Sequence, residues 1–221
     1  MAYKTDEQII QDVLAELAWD PTVKVADLTV STEQGRVTFK GTVATYGTKL
    51  DAEDAAYRVG GVRLVDNQIV VNPPAPEVRA DRDIAADIRS PFALDYQVPD
   101  ERISVSVVNG YVTLTGNVDW YYQKDAAEKD VARIRGVQGL DDEITVKQPR
   151  ATAAEIESGI AQAFQRSARL YDDHIKVTAE GGHVTLSGTV ATWSEFAMAE
   201  EIARMAPGVS SVTNQIAVLL P

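Results

Sequence analysis

One stretch of this chain, read from residue 35 onward, is Gly35-Arg36-Val37-Thr38-Phe39-Lys40-Gly41-Thr42-Val43. The stretch returns as Gly-Tyr-Val-Thr-Leu-Thr-Gly-Asn-Val over residues 110–118 and as Gly-His-Val-Thr-Leu-Ser-Gly-Thr-Val over residues 182–190. A Gly-Val pair follows each copy at the same distance, beginning at Gly61, Gly136 and Gly208. Because segments 9–71, 84–146 and 156–218 align without a gap, the chain consists of three repeats.

The segments between the repeats have the composition of linkers. Asn72-Pro73-Pro74-Ala75-Pro76 is rich in proline, which favours an extended and fairly stiff backbone. Lys147-Gln148-Pro149-Arg150 is shorter and contains one proline. We therefore predict three units, over residues 1–74, 75–149 and 150–221.

Each unit has the pattern of a helix, two strands, a second helix and a third strand. In the first helix apolar residues recur four positions apart, as Ile9, Val13 and Leu17 do, which places them on one helical face. The turn between the first two strands contains a glycine suited to positive φ in every copy: Gly35, Gly110 and Gly182. The second helices are predicted over roughly 48–59, 123–134 and 195–206, with Gly61, Gly136 and Gly208 ending them. The predicted fold is α+β, with three tandem αββαβ units, each a three-stranded mixed sheet carrying two helices on one face.

Two local features predict departures from regular structure. The returning strand of each hairpin carries a glycine on its apolar face, at Gly41, Gly116 and Gly188. Since a strand glycine marks the close approach of other backbone, we expect a helix to cross directly over it. Pro91 lies within the first helix of unit two and is expected to break or kink it, releasing residues 92–94 from the helical path.

Composition and charge exclude several classes of protein. The 221 residues include 33 acidic and 21 basic side chains, for a formal charge of −12, and no cysteine. This charge argues against a protein that coats nucleic acid and against broad adhesion to anionic lipid. No apolar run approaches the roughly 18 residues of a membrane span, so no transmembrane segment is predicted. The polar first residues lack the core of a signal peptide, which predicts a cytoplasmic protein, or a periplasmic one if a leader has been removed.

No set of polar residues has the spacing of a catalytic or metal site. Asp172-Asp173-His174 is interpreted as a solvated loop, and His183 as an outward-facing residue, because neither recurs in the other repeats. Asp141-Asp142-Glu143 is interpreted as an exposed sheet edge with nothing to indicate burial. We therefore predict a protein without enzymatic activity, cofactor or metal ion.

Aromatic residues are the stronger candidates for a binding surface. Tyr46, Tyr121 and Trp193 are equivalent, at the start of each second helix, and either fasten that helix to its sheet or form an interface. Trp120 and Tyr122 have no aromatic counterpart in unit three and are the better candidates for exposure. Unit two is therefore predicted to carry the functional surface, with Trp120, Tyr121 and Tyr122 as lipid- or partner-binding residues.

The repeated G-x-V-T-[LF]-x-G-x-V hairpin, the downstream Gly-Val pair and the αββαβ order resemble BON (bacterial OsmY and nodulation) domains. The resemblance covers all three units, and its motif is structural: the Gly and Val positions carry the fold rather than a reaction. It implies peripheral phospholipid association linked to envelope or osmotic-stress maintenance in bacteria. The alternatives are a soluble protein-interaction or stress-response scaffold and, with less support, small-cation binding by acidic loops. The partner and the oligomeric state stay unassigned.

Overall fold

A computed structural model describes residues 4–20, 23, 28–75, 78–147, 151–167, 170 and 174–218. The predicted α+β fold of three αββαβ units is confirmed, each unit with a three-stranded mixed sheet and two helices. Of the predicted linkers, residues 76 and 148–150 lie outside the described residues.

The elements of the three units follow one order. Unit one contains α1 (Asp6–Trp19), β1 (Leu28–Glu33), β2 (Arg36–Val43), α2 (Tyr46–Tyr57) and β3 (Leu64–Val71). Unit two contains α3 (Asp81–Leu94), a 3₁₀ turn (Asp100–Arg102), β4 (Ile103–Val108), β5 (Tyr111–Val118), α4 (Tyr121–Ala132) and β6 (Gly139–Val146). Unit three contains α5 (Ala153–Arg166), β7 (Ile175–Glu180), β8 (His183–Val190), α6 (Trp193–Met205) and β9 (Ser211–Val218).

The second strand is the centre of every sheet. It pairs antiparallel with the first strand across a tight turn and parallel with the third strand, which returns after the second helix. In unit one the turn residues Gln34 and Gly35 have φ values of 51° and 78°. Glycine adopts such values without steric penalty, whereas a positive φ is uncommon for a residue with a side chain such as Gln34. The parallel pairing needs a crossover, and the second helix supplies it.

Each unit buries its own hydrophobic core between its helices and one face of its sheet. In unit one Ile9, Val13 and Leu17 of α1 are buried against Val37 and Phe39 of β2. The second helix contributes small residues to this core, which lets it lie close to the sheet: Ala52, Ala55 and Ala56. Complete burial of a side chain such as Phe39 contributes about 1.5–3 kcal/mol, so each small unit depends on a few such residues.

The prediction that a helix crosses over the strand glycines is wrong at Gly116 and Gly188. A methyl group on either glycine would overlap a backbone carbonyl oxygen of the preceding strand segment, that of Arg102 or His174. Gly41, Gly116 and Gly188 have φ values of 133°, 143° and 122°, which L side chains rarely adopt. The close neighbour is therefore the hairpin's own backbone, and glycine is required by its conformation as well.

The prediction that Pro91 breaks the first helix of unit two is also wrong. Helix α3 contains Pro91 and runs to Leu94, over the same repeat positions as α1 and α5. Proline removes one helical hydrogen bond, the one to the Asp87 carbonyl, close to the end of the helix. Phe92 is buried in the core of unit two, and this burial keeps the last turn helical.

Candidate binding surface

The aromatic residues that begin the second helices connect different units. Tyr46, Tyr121 and Trp193 are the first residues of α2, α4 and α6. Tyr46 and Trp193 pack partly against the cores of their own units. Each of the three also lies at a contact with another unit, so the two predicted roles, fastening and interface, occur together at Tyr46 and Trp193.

Trp193 joins unit three to unit one by ring stacking. Its ring lies on that of Tyr57, with centroids 3.9 Å apart and planes 5° from parallel. Trp193 also stacks on Phe196, at 4.1 Å between centroids. Stacked pairs of this kind add about 0.5–1.5 kcal/mol to the burial of the rings themselves.

Unit two contacts unit three, and unit one contacts unit two, at the equivalent helix ends, but these contacts are not ring stacks. The guanidinium carbon of Arg204 in unit three lies 4.9 Å from the ring centroid of Tyr121 in unit two, a cation–π contact. Burial raises the pKa of the Tyr121 hydroxyl above its ordinary value, and Arg204 opposes the rise. Tyr46 of unit one packs against the core of unit two. A methyl group on the adjacent Gly47 would lie 3.2 Å from the carbonyl oxygen of Ala132.

These contacts close the three units into a ring. Three equivalent residues near the ends of the second helices make these contacts: Tyr57, Ala132 and Arg204. Each contacts the first turn of the second helix of another unit. Unit one contacts unit two, unit two contacts unit three, and unit three contacts unit one. We name this arrangement the second-helix ring. Helix N-termini are partly positive and C-termini partly negative, so placing them head to tail is electrostatically favourable.

A cavity of about 980 Å³ lies among the second helices of all three units. We name it the axial groove. Its aromatic lining residues are Tyr57, Tyr96, Tyr121, Tyr122 and Trp193. Its charged lining residues are Asp54, Asp125, Lys129, Glu200, Glu201 and Arg204. The groove therefore combines rings with an excess of carboxylates.

The predicted binding residues of unit two divide into two kinds. Trp120 and Tyr122 are 40% and 43% exposed, whereas Tyr121 is half-buried beneath Arg204. Trp120 is the N-cap residue of α4, and its backbone N–H donates to Oε1 of Gln123 at 3.0 Å. Trp120 and Tyr122 thus belong to the surface, and Tyr121 belongs to the second-helix ring.

Sequence reasoning missed Tyr96. This residue follows the end of α3, is 93% exposed, and lines the axial groove together with Tyr122. Comparison of the repeats could have found it, because the equivalent residues in the other units are Pro21 and Ala168, so that only unit two has an aromatic residue at this position. The segment after the first helix and the start of the second helix therefore do share one surface in unit two.

The interpretation of Asp142 as part of an exposed edge is wrong. Its side chain is 7% exposed, and its Oδ1 lies 3.4 Å from the Nζ of Lys124. Lys124 Nζ also donates to the carbonyl oxygens of Asp142 and Ile144, at 3.1 Å each. Oδ1 of Asp142 accepts a hydrogen bond from the backbone N–H of Ile144 at 2.7 Å, whereas its buried Oδ2 has no N–H donor among the described residues. Asp142 is therefore a buried carboxylate with incomplete compensation.

Asp142 lies beside Glu128, and units one and three have an amide in its place. Asn67 Nδ2 donates to Glu53 at 3.1 Å, and Asn214 Nδ2 donates to Glu200 at 3.3 Å. In unit two the amide donor is replaced by a second carboxylate. Burial is the largest cause that raises the pKa of Glu128 to about 7, and the neighbouring carboxyl group of Asp142 is the next largest. The pair is therefore expected to hold a shared proton below that pH.

The remaining polar candidates do not form a site. His183 is exposed, and its Nδ1 forms a hydrogen bond with the hydroxyl of Ser211 at 2.5 Å. His174 is exposed, while Asp172 and Asp173 lie outside the described residues. Across the described ranges, no group of three or more His, Asp or Glu side chains is placed to hold a metal ion. No helix in the described part of the chain has the length and apolarity needed to cross a bilayer.

Comparison with known proteins agrees with the repeat structure. The sequence model of the BON domain family matches the chain three times, over residues 5–73, 80–148 and 152–219. Osmotically-inducible protein Y of Escherichia coli (strain K12) is 28% identical over 150 residues, which cover 66% of this chain and 74% of that protein. An uncharacterized protein in the gshII 5′ region of Anaplasma centrale is 26% identical over 128 residues, covering 57% and 85% of the two chains.

Two solved structures also align with the chain. Both are of CdsD, a structural protein of the type III secretion system of Chlamydia trachomatis. The C-terminal domain is 14% identical and covers 98% of this chain and 100% of its own, with a TM-score of 0.26. The second structure is 15% identical and covers 96% and 93%, with a TM-score of 0.26. TM-scores of this size do not establish a common arrangement of the units.

Proposed function

The chain belongs to the BON domain family through all three of its units, and from this premise we propose that it is a non-enzymatic protein that associates peripherally with phospholipid surfaces. Its similarity to osmotically-inducible protein Y supports a role in osmotic stress. The surface that makes the contact is the aromatic surface of unit two, formed by Trp120, Tyr122 and Tyr96.

The exposure of these rings is the observation that carries the proposal. Trp120 and Tyr122 flank Tyr121 at the start of α4, and Tyr96 lies on the same side of the molecule as Tyr122. Tryptophan and tyrosine combine an apolar ring with a polar atom, which suits them to the boundary between lipid headgroups and water. Each ring contributes at most about 1.5–3 kcal/mol when fully buried, so partial burial of three rings supports weak, reversible binding.

The charge of the protein restricts the lipid. With a formal charge of −12, the chain is repelled by a strongly anionic surface, and this repulsion weakens as salt screens it. We therefore expect binding to zwitterionic vesicles to exceed binding to anionic vesicles at low salt. Vesicle flotation at two ionic strengths measures both, and a preference for anionic lipid at low salt would contradict this expectation.

The double variant Trp120→Ala/Tyr122→Ala is expected to reduce the fraction of protein that floats with phosphatidylcholine vesicles by at least fivefold. Its melting temperature should change little, because both rings are partly exposed and lie outside the buried core. Flotation and thermal unfolding of the same preparation give both values. A large loss of melting temperature would show that the rings are structural, and unchanged flotation of a folded variant would refute their role.

A matched control is available in the same chain. Trp19→Ala/Tyr111→Ala also removes one tryptophan and one tyrosine, from side chains that are 86% and 58% exposed, at the end of α1 and the start of β5. This variant should float like the parent protein. Equal losses in both double variants would mean that general surface apolarity, rather than the unit-two surface, determines binding.

A protein-interaction scaffold is the second candidate function. The observation that favours it is the open edge of every sheet, since β1 and β3 each pair only with β2 among the described strands, and the other units repeat this arrangement. Open edges can accept a strand from a partner. Failure of the parent protein to float with any vesicle would favour this function over phospholipid association. The cytoplasmic location predicted from the sequence stays a prediction.

A further inference from the structure

The axial groove brings together one equivalent position from each second helix. Asp54, Lys129 and Glu201 occupy this position in α2, α4 and α6, and all three line the groove. The second-helix ring thus surrounds its centre with two carboxylates and one ammonium group.

Two carboxylates of the groove form no close ion pair within the described residues. Asp125 forms an ion pair with Lys129 at 2.6 Å, and Glu200 forms one with Arg204. Asp54 and Glu201 form no ion pair with any residue in the described ranges. Burial and the nearby carboxylate of Asp51 raise the pKa of Asp54, and together they outweigh the opposing charges of Arg58 and Lys129. The groove therefore favours an additional positive charge.

The groove already holds one cation against an aromatic ring. Arg204 lies over the face of Tyr121, at 4.9 Å from its centroid. Tyr57, Tyr96 and Tyr122 also line the groove, and Tyr96 and Tyr122 are exposed. Ring faces attract ammonium groups, and alkylated ammonium groups in particular because little hydration is lost when they leave water.

We propose that the axial groove is a binding site for an alkylated ammonium group, the cation shared by zwitterionic phospholipid headgroups and small soluble ammonium compounds. The site would place the cation among the carboxylates of Asp54 and Glu201 and the ring of Tyr122. The inference deepens the proposed function, on which it rests only for the membrane-bound source of the cation.

The chemistry of the lining excludes other classes of ligand. An anion would meet the unpaired carboxylates, and a purely apolar molecule would remove them from water without providing a partner. A hard metal ion such as Ca²⁺ or Mg²⁺ is bound by several oxygen ligands close together, and aromatic rings supply none of these ligands. An alkylated ammonium group satisfies both the rings and the carboxylates.

Isothermal titration with choline tests the groove without a membrane. Choline should bind to the full chain with weak, millimolar affinity. Its neutral isostere 3,3-dimethylbutan-1-ol, which has the same shape without the charge, should bind at least tenfold more weakly. Equal affinity for the two compounds, or no binding of choline, would overturn the proposal.

Variants locate the choline site within the molecule. Glu201→Gln and Tyr122→Ala should each weaken choline binding by about three- to tenfold, with melting temperatures close to that of the parent protein. Glu180→Gln removes an exposed carboxylate of the same unit from β7, which does not line the groove, and should leave the affinity unchanged. Equal effects of Glu201→Gln and Glu180→Gln would mean that choline responds to overall charge alone, and would overturn the assignment.

Flotation with competing choline separates this proposal from the proposed function. If phosphatidylcholine vesicles float the protein and excess choline releases it, the lipid headgroup is the source of the cation. If choline binds but no vesicle floats the protein, the groove proposal stands with a soluble ligand and membrane association fails. If vesicles float the protein while choline neither binds nor competes, the groove proposal fails and membrane association stands.

Discussion

Gly116→Ala is expected to destabilise unit two by roughly 3 kcal/mol or more. Two effects add at this position. The backbone has φ of 143°, which a residue with a side chain rarely adopts, and the new methyl group would overlap the carbonyl oxygen of Arg102. Relief requires separation of β4 from β5, and the buried Ile103 is part of that pairing. Urea or thermal unfolding measures the loss, which should be confined to one transition if the units unfold separately.

Gly159→Ala is the matched control for this variant. Gly159 lies within helix α5, and a methyl group there has no neighbour within 4 Å. Alanine favours a helix over glycine by about 1 kcal/mol, so this substitution should be neutral or stabilising. A Gly116→Ala variant that loses less than about 1 kcal/mol would contradict the account of the strand glycines.

Asp142→Asn is expected to stabilise unit two above neutral pH. The folded protein raises the pKa of Glu128 to about 7, so the fold retains a proton that the unfolded chain releases near the ordinary value of 4.5. Stability from this group is therefore present below pH 4.5 and is lost as the pH rises to about 7. An asparagine at 142 can donate to Glu128 as Asn67 and Asn214 donate to their glutamates, which removes the need for that proton.

The expected gain is about 1–2 kcal/mol at pH 8, after allowance for the partial exposure of Glu128, and close to zero at pH 4. Lys124 keeps its two carbonyl partners in the variant. The charged groups that act on Glu128 besides Asp142 are Lys124 and Asp125. Unfolding free energies of both proteins across this pH range give the comparison.

Asn67→Asp in unit one is the reverse experiment. It should create a carboxylate pair with Glu53, and the stability of unit one should then fall more steeply with rising pH than that of the parent protein. Parallel pH curves for the parent protein and both variants would show that the carboxylate pair has no influence on stability.

The sequence predicted the fold well because the repeats supply the same pattern three times. Apolar spacing in the first helices and turn glycines in the hairpins are local signals, and local interactions decide these elements. The prediction at Pro91 fails because the rule that proline ends a helix is local, whereas the burial of Phe92 is a tertiary interaction. The neighbour of Gly116 depends on the register of the hairpin, which the residue itself does not specify.

The candidate site was predicted less completely, and the omissions have different causes. Tyr46, Tyr121 and Trp193 were recognised as equivalent, but their partners lie in other units, and a repeat pattern contains no information on packing between repeats. Asp142 could have been recognised, since strand alternation places it on the same face as the buried Ile144. The alignment of Asp142 with the amide residue Asn67 also indicates that this position differs from its exposed neighbours Asp141 and Glu143.

Closure of the second-helix ring is the central claim, since the axial groove and the placement of the aromatic surface depend on it. The chain has no cysteine, so two introduced thiols are the only ones present. Asp54→Cys/Ala197→Cys places them in units one and three, both lining the axial groove. Lys40→Cys/Lys176→Cys places them on exposed positions of β2 and β7 as a control.

Treatment of dilute protein with a short bismaleimide, followed by mass spectrometry of the intact chain and its peptides, measures closure directly. The ring requires rapid cross-linking within one molecule for Asp54→Cys/Ala197→Cys, at a yield independent of protein concentration, and little for the control pair. Equal yields for the two pairs, or cross-links only between molecules, would show that units one and three do not meet and would contradict the ring.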